Sequence, residues 1–245
     1  MTAQSEPATD SDTDARIDDL DPFDKGVSGI DGPISRYLNR PVSGLISSRV
    51  AGLPVTPNQW TYASFGCGCA GAAAFAVGWP RAAGVLVHAG ALLDEVDGEV
   101  ARLQGTSSAE GALLDMTLDR VSDVTLVGGL ALGAGARRLD WLLALTAACG
   151  IITAGALKER VGAEGHSVTR LQRAEVGGSN ADRLLPFTSS DGRLFTVSVL
   201  GLLKWPRLAL VWLAGAGCLR MLRRLHAARV ALSDESTPIG EQSTP

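Results

Sequence analysis

The sequence predicts an all-α fold, an integral membrane bundle of six helices that follows an N-terminal amphipathic juxtamembrane helix. Hydrophobic residues make up 46% of the 245 residues, whereas charged residues make up 20% and aromatic residues 5%. The apolar residues cluster in segments of about 20 residues, the length that a helix needs to cross a bilayer core of ~30 Å. Most of the 29 glycines fall in or next to these segments. Small side chains let helices approach closely in lipid.

The charged residues are unevenly distributed. Residues 1–31 contain nine acidic and two basic residues, although the whole chain has a net charge of only −4. This segment is rich in Ser, Thr, Asp and Pro and has few large apolar side chains, so we predict a disordered acidic tail. A second disordered tail is predicted over residues 229–245. The acidic pI of the whole chain therefore reflects the first tail. This excludes the interpretation that the chain is an acidic soluble protein.

Residues 32–56 are predicted to form the amphipathic helix. Apolar residues alternate there with Arg36, Arg40 and Arg49 at near-helical spacing, which is typical of a helix on the inner membrane surface. Pro41 and Gly44 are expected to interrupt it.

Residues 57–228 contain the six predicted spans. They are Asn58–Trp79, Arg81–Leu103, Glu110–Gly135, Leu139–Leu157, Leu194–Trp205 and Leu208–Leu222. The fifth is short unless it begins nearer Pro186. If the N-terminus lies in the cytoplasm, most of the Arg and Lys residues of the loops face the cytoplasm too, as the positive-inside rule requires. We therefore predict a protein of the cytoplasmic membrane with a cytoplasmic N-terminus.

Aspartates interrupt the second and third spans, where a lipid-facing charge is costly. Asp94 and Asp97 are three residues apart, and Asp115 and Asp119 are four apart, so each pair lies on one helix face. Four converging carboxylates repel one another unless cations lie between them. Hard oxygen ligands in this number suit two Mg²⁺ or Mn²⁺ ions.

The neighbouring acids have other predicted roles. Glu95 and Glu99 lie on a different face of the second span and are predicted to be interfacial charges. Asp123 either supports the metal ligands or pairs with Arg120. Solvation at helix ends, or pairing with Arg102 and Arg120, would account for only some of these acids.

The aspartates and their neighbours resemble the signature of the CDP-alcohol phosphotransferase family. The matching pattern is Asp94-x-x-Asp97-Gly98-x-x-Ala101-Arg102, then eight residues, then Gly111-x-x-x-Asp115-x-x-x-Asp119. The resemblance implies an enzyme that moves a phosphoalcohol from a CDP-alcohol to an acceptor hydroxyl and releases CMP. It also implies that the four aspartates hold two divalent cations, that Asp119 is the general base, and that the protein is a homodimer.

The same resemblance assigns the substrate contacts. Gly98, Ala101, Arg102 and Gly111 would bind the CDP group, helped by Asn58 and Thr61 from a Pro-Asn-x-x-Thr segment. Arg193 and Lys158 are weaker candidates for the acceptor. Residues 31–43, DGPISRYLNRPVS, resemble the inositol-phosphate branch of the family. The donor stays open between CDP-inositol and CDP-diacylglycerol, and for the second donor the acceptor stays open among inositol phosphate, glycerol phosphate and serine.

Two other function classes remain as alternatives. A membrane prenyltransferase also binds Mg²⁺ and a diphosphate through aspartates, but its two aspartate motifs lie far apart in the chain. A transporter or scaffold with intramembrane acids would need no metal and release no CMP. The expected partners are the lipid bilayer, the two substrates and a second copy of the chain, and no nucleic acid.

Overall fold

The computed structural model describes residues 34–163 and 189–235, and all regular structure in these ranges is helical. The elements are a π-helical turn (Ser35–Asn39), α1 (Arg40–Val50), α2 (Pro57–Ala76), α3 (Pro80–Leu103), α4 (Ala109–Gly133), α5 (Arg138–Ala163), α6 (Ser190–Leu202) and α7 (Pro206–Glu235). The all-α prediction is confirmed, and each of the six predicted spans corresponds to one helix, α2 to α7.

Local sequence signals set several helix boundaries. Thr56 and Gln59 form a capping box at the start of α2, where Pro57 is the first helical residue. The side chains of Ser108 and Ser189 cap α4 and α6 by accepting hydrogen bonds from backbone N–H groups three residues later. The capped start makes α6 only 13 residues long, in agreement with its prediction as the short span.

The C-terminal boundary differs from the prediction. Helix α7 continues to Glu235, far beyond Leu222, so residues 229–235 are helical although the disordered tail was predicted from residue 229. The acidic tail of residues 1–31, the rest of the C-terminal tail and residues 164–188 lie outside the described residues.

Pro41 and Gly44 do not interrupt the first helix as expected. Proline has no N–H and its ring collides with the carbonyl group four residues earlier in a regular α-helix. Here the preceding turn is a wider π-turn, in which the N–H of Arg40 donates to the carbonyl of Ser35. The turn accommodates Pro41, and Gly44 is buried within α1.

Small residues bring the helices close together. A Cβ atom on Gly129 of α4 would overlap the carbonyl oxygen of Ala72 in α2, and one on Gly84 of α3 would overlap the carbonyl oxygen of Ser198 in α6. Helix α2 packs along both α3 and α4, whereas α3 and α4 make few direct backbone contacts with each other. A cleft between α3 and α4 follows, with α2 at its base.

Large apolar side chains are exposed on the outside of the bundle. In α5, Leu139, Leu142 and Leu145 are each 60–62% exposed. Residues Arg138–Leu157 of this helix form the one stretch among the described residues that is long and apolar enough to cross a membrane by itself. The six-span membrane arrangement stays a prediction.

Candidate active site

Three carboxylates converge across the cleft. Asp94 and Asp97 come from the C-terminal half of α3, and Asp115 comes from the N-terminal half of α4. Each places one carboxylate oxygen within 4.8 Å of an oxygen of the other two. Their spacing of three residues in α3 puts Asp94 and Asp97 on the face that looks toward α4. The structure therefore brings together three of the four aspartates predicted as metal ligands.

This carboxylate cluster fits a divalent cation. Asp97 is buried, and the Oδ1 atom of Asp115 is buried without a hydrogen-bond partner among the described residues. Several carboxylate oxygens at such short separations are the donors that Mg²⁺ and Mn²⁺ prefer. A cation among them would supply the missing partner of Asp115 and offset the repulsion between the three carboxylates.

Asp119 is not one of these three carboxylates but lies next to them. It lies one helical turn beyond Asp115 on α4, its side chain is exposed, and it lines a cavity that adjoins the cluster at Asp94. A carboxylate that is open to the cleft can reach a substrate hydroxyl.

Thr61 of α2 contacts one of the three carboxylates. Its buried hydroxyl donates a hydrogen bond of 2.6 Å to the Oδ2 atom of Asp97. The family resemblance implies that Thr61 binds the CDP group, and in the structure its hydroxyl contacts Asp97. The base of the cleft therefore orients a candidate metal ligand.

The other candidate CDP-binding residues gather at the ends of three helices. Asn58 lies at the start of α2, and its Oδ1 atom is 3.5 Å from the position that a Cβ on Gly111 would occupy. Arg102, at the end of α3, has its Nη1 atom 3.5 Å from the equivalent position on Gly98. Ala101 is half-buried beside it. Two glycines, an amide and an exposed guanidinium thus surround one end of the cleft.

A cavity of about 70 Å³ extends from the aspartates toward α6. Its polar lining consists of Ser64, Asp94, Asp119, Ser122, Asp123, Asp191 and Arg193. Hydroxyl, carboxylate and guanidinium groups therefore face the same small volume.

Arg193 is buried beside this cavity, with 3% of its surface exposed. Its Nη2 atom lies 3.6 Å from the Oδ2 atom of Asp123, so the two side chains form an ion pair. The Nε and Nη1 atoms of Arg193 have no hydrogen-bond partner among the described residues. Buried donors without partners are costly, and a guanidinium matches the geometry of a phosphate group. The second acceptor candidate, Lys158, lies in α5 with its side chain outside the described set.

Glu95 and Glu99, which the sequence predicts to be interfacial charges, hydrogen-bond to the N-terminal helical segment. Glu95 accepts hydrogen bonds from Ser35 and Asn39, and Glu99 accepts one from Ser43. Ser35, Asn39, Ser43 and Ser47 recur at every fourth position in the sequence, which indicates a polar helix face but not its partner.

A protein-family comparison agrees with the site. The family model described as CDP-alcohol phosphatidyltransferase matches residues 54–177, a range that contains all four aspartates.

Curated relatives share the sequence beyond the motif. The bifunctional IPC transferase and DIPP synthase of Rubrobacter xylanophilus is 35% identical over 227 residues, which cover 91% of this chain and 49% of that protein. The archaetidylinositol phosphate synthase of Methanothermobacter thermautotrophicus is 32% identical over 161 residues, covering 64% of this chain and 80% of that protein. The chain thus spans about half the length of the Rubrobacter relative.

Solved structures share the fold. The crystal structure of Mycobacterium tuberculosis phosphatidylinositol phosphate synthase with CDP-DAG bound is 24% identical and gives a TM-score of 0.56 over 77% of this chain and 94% of that one. The structure of the same enzyme with manganese and citrate gives a TM-score of 0.57 over 76% and 88%. Together, the family match over half of the chain, the relatives and the aspartate site show that the chain belongs to the CDP-alcohol phosphatidyltransferase family.

Proposed function

We propose that the chain is a membrane CDP-alcohol phosphotransferase, which transfers a phosphoalcohol from a CDP-alcohol to an acceptor hydroxyl and releases CMP. The observation that carries this proposal is the convergence of Asp94, Asp97 and Asp115 across the cleft, at the positions of the family motif. Three carboxylates would repel an anionic diphosphate. They suit diphosphate transfer only when cations are bound between them and the substrate.

We propose two divalent cations, Mg²⁺ or Mn²⁺, held by the three converging carboxylates together with Asp119. When bound, such cations neutralise charge on the attacking and leaving oxygens of a phosphoryl group. The mycobacterial enzyme of the same fold, whose crystal structure contains manganese, supports this choice of metal.

Asp119 is the proposed general base. Its exposed carboxylate lines the cavity next to Asp94, so it can accept the proton of an acceptor hydroxyl that enters this cavity. Thr61 holds Asp97 in one orientation by the 2.6 Å hydrogen bond, which favours a fixed ligand geometry.

The donor is proposed to bind at the end of the cleft that Asn58, Gly98, Ala101, Arg102 and Gly111 surround. The two glycines leave room for the nucleotide close to the helix backbones, and the guanidinium of Arg102 can bind phosphate oxygens. This site lies on the opposite side of the aspartates from Arg193, so donor and acceptor would meet at the carboxylates.

The acceptor is proposed to be a phosphorylated alcohol, with inositol phosphate as the leading candidate. The buried donors of Arg193 that lack partners suit the phosphate, and the hydroxyls of Ser64 and Ser122 suit a polyol. The archaetidylinositol phosphate and phosphatidylinositol phosphate synthases among the relatives support inositol phosphate chemistry. Lys158 is kept as a second proposed phosphate contact.

A membrane location is proposed for the helical body. The exposed leucines of α5 and the apolar stretch Arg138–Leu157 are consistent with lipid contact, since soluble proteins rarely expose large continuous apolar surfaces. We propose six spans with a cytoplasmic N-terminus and active site, α1 at the inner membrane surface, and a homodimer.

A release assay tests the function. Purified protein with Mn²⁺ or Mg²⁺ is given CDP-diacylglycerol or CDP-inositol and an inositol phosphate, and CMP is measured. We expect CMP only when donor, acceptor and metal are all present, and none from Asp119→Asn. The productive donor distinguishes phospholipid synthesis from soluble inositol-phosphate ester synthesis. Absence of CMP with every donor would contradict the enzyme and favour a transporter or scaffold.

A further inference from the structure

The helix that carries Asp94 and Asp97 has acidic side chains on two faces. Successive residues of an α-helix are about 100° apart, so Glu95 and Glu99 lie together on a face well away from the metal-binding pair. This second face contacts α1. The family motif assigns no role to either glutamate.

Glu95 accepts hydrogen bonds from residues at the start of the N-terminal helical segment. Ser35 donates to its Oε1 atom at 2.8 Å, the Nδ2 atom of Asn39 donates to the same oxygen at 3.1 Å, and Ser43 lies 3.4 Å from Oε2. Ser35, Asn39 and Ser43 are each at most 4% exposed. The contact is therefore buried on the side of the N-terminal helix. Its hydroxyl and amide donors face the carboxylate acceptor of Glu95.

Two further residues, Glu99 of α3 and Gln104 directly after this helix, continue the attachment. Glu99 accepts a hydrogen bond of 2.9 Å from Ser43 and lies 3.7 Å from the Nη1 atom of Arg40. The Nε2 atom of Gln104 donates to the carbonyls of Ala51 at 3.1 Å and Val55 at 3.2 Å. Contacts thus advance in the same direction along both segments, so α1 runs parallel to the end of α3 and is held near its first turn and just after its last residue.

We propose that Glu95, Glu99 and Gln104 are positioning residues that fix the rotation of α3 by docking it on α1, and thereby aim Asp94 and Asp97 at Asp115. This inference rests on the proposed metal site. If the second acidic face were released, α3 could turn about its axis, and the carboxylates on the first face would move relative to α4. The Gln104 contacts also hold the segment that leads into α2, which carries Thr61.

Direct manganese binding tests the inference. Mn²⁺ is titrated into detergent-purified full chain, and free Mn²⁺ is measured by electron paramagnetic resonance, with no substrate present. We expect Glu95→Ala to weaken Mn²⁺ binding about tenfold, the lower end of the loss for groups that bond directly to metal ligands, because Glu95 acts on the ligands through the position of α3. Glu95→Gln keeps an oxygen that can accept from Ser35 and Asn39, so it should recover most of the affinity. Glu110→Ala, an exposed acid at the start of α4, is the matched control and should bind as wild type does.

A double-mutant cycle shows whether Glu95 acts through α1. Ser35→Ala with Asn39→Ala should weaken Mn²⁺ binding, and adding Glu95→Ala to that background should cause little further loss. Additive losses would contradict the inference, because Glu95 would then act without its partners in the π-helical turn that leads into α1. Normal Mn²⁺ affinity in folded Glu95→Ala would also overturn it.

The same titration separates this inference from the proposed function. If wild-type protein binds no Mn²⁺, the metal site itself is wrong. If wild type binds Mn²⁺ and Ser43→Ala, Glu95→Ala and Glu99→Ala all bind equally well, only the positioning role is wrong. Melting temperatures of all variants show that each protein is folded during the titration. A lower melting temperature with unchanged Mn²⁺ affinity would mean that the contact is merely structural.

Discussion

The hydroxyl of Thr61 donates a 2.6 Å hydrogen bond to the Oδ2 atom of Asp97, and both side chains are buried. The bond joins the base of the cleft to one of the three converging carboxylates. Because it holds one oxygen of Asp97, it fixes the orientation of the carboxylate toward Asp94 and Asp115.

Removal of this hydroxyl should therefore impair the site more than the fold. We expect Thr61→Val to lower Mn²⁺ affinity and CMP release about tenfold to hundredfold, the usual cost of losing a hydrogen bond that orients a metal ligand. Thr61→Ser keeps the hydroxyl and should stay within a few-fold of wild type. Equal behaviour of the two variants in Mn²⁺ titration would contradict the role given to the hydroxyl.

Asp115 is expected to be indispensable for turnover. Asp115→Asn removes a charge from the centre of the cluster, so the chain should lose Mn²⁺ binding and CMP release together. The substitution Glu110→Gln, five residues earlier on the same helix but exposed, should leave both unchanged. Substantial CMP release from Asp115→Asn at saturating Mn²⁺ would show that the cluster is not the metal centre.

Arg193 should affect the acceptor and not the donor. Hydrogen bonds to charged groups contribute about 1.5–3 kcal/mol, so Arg193→Gln should raise the KM for a phosphorylated acceptor by roughly tenfold to hundredfold. The KM for the CDP-alcohol should change little. Arg81→Gln serves as the control, since Arg81 is exposed at the other end of the bundle. A raised KM for the CDP-alcohol in Arg193→Gln would contradict this assignment, because the guanidinium would then contact the donor.

Two adjacent glycines of α4 provide a test of the packing. A Cβ on Gly129 overlaps the backbone of Ala72, whereas a Cβ on Gly128 meets nothing within 4 Å. We expect Gly129→Ala to lower stability by about 1–3 kcal/mol or more, because the helices must separate. Gly128→Ala should be neutral or stabilising by up to ~1 kcal/mol, since alanine favours helix. Thermal unfolding in detergent would measure both, and similar melting temperatures would contradict the backbone contact between α2 and α4.

The sequence was sufficient to predict the helices and the central acids. Long apolar segments are followed by Pro, Ser or Thr residues that begin α2, α3 and α4, so these three helices lie within three residues of their predicted bounds, whereas α5 continues to Ala163, beyond its predicted end at Leu157. The spacing of Asp94, Asp97 and Asp115 is a local property of helices, and the structure brings these three together.

Contacts between distant segments were not predictable in the same way. Glu95 meets Ser35 across 60 residues of sequence, and no local pattern specifies which helix face a serine stripe will contact. The sequence predicts Glu95 only as an interfacial charge, and its contacts in the structure lead us to expect that Glu95→Ala weakens metal binding. Likewise, Arg193 pairs with Asp123 across 70 residues, through the packing of α6 against the bundle.

The two walls of the cleft touch a common neighbour, α2, more than they touch each other. Gly71 of α2 faces Val87 of α3, and the carbonyl of the next residue, Ala72, faces Gly129 of α4. Helix α2 is therefore a spacer between α3 and α4, and close approach depends on the missing side chains of Gly71 toward α3 and Gly129 toward α4. Enlarging either glycine would push one wall of the cleft away from α2 and so shift the ligands of α3 or α4 from outside the site, without altering a single aspartate.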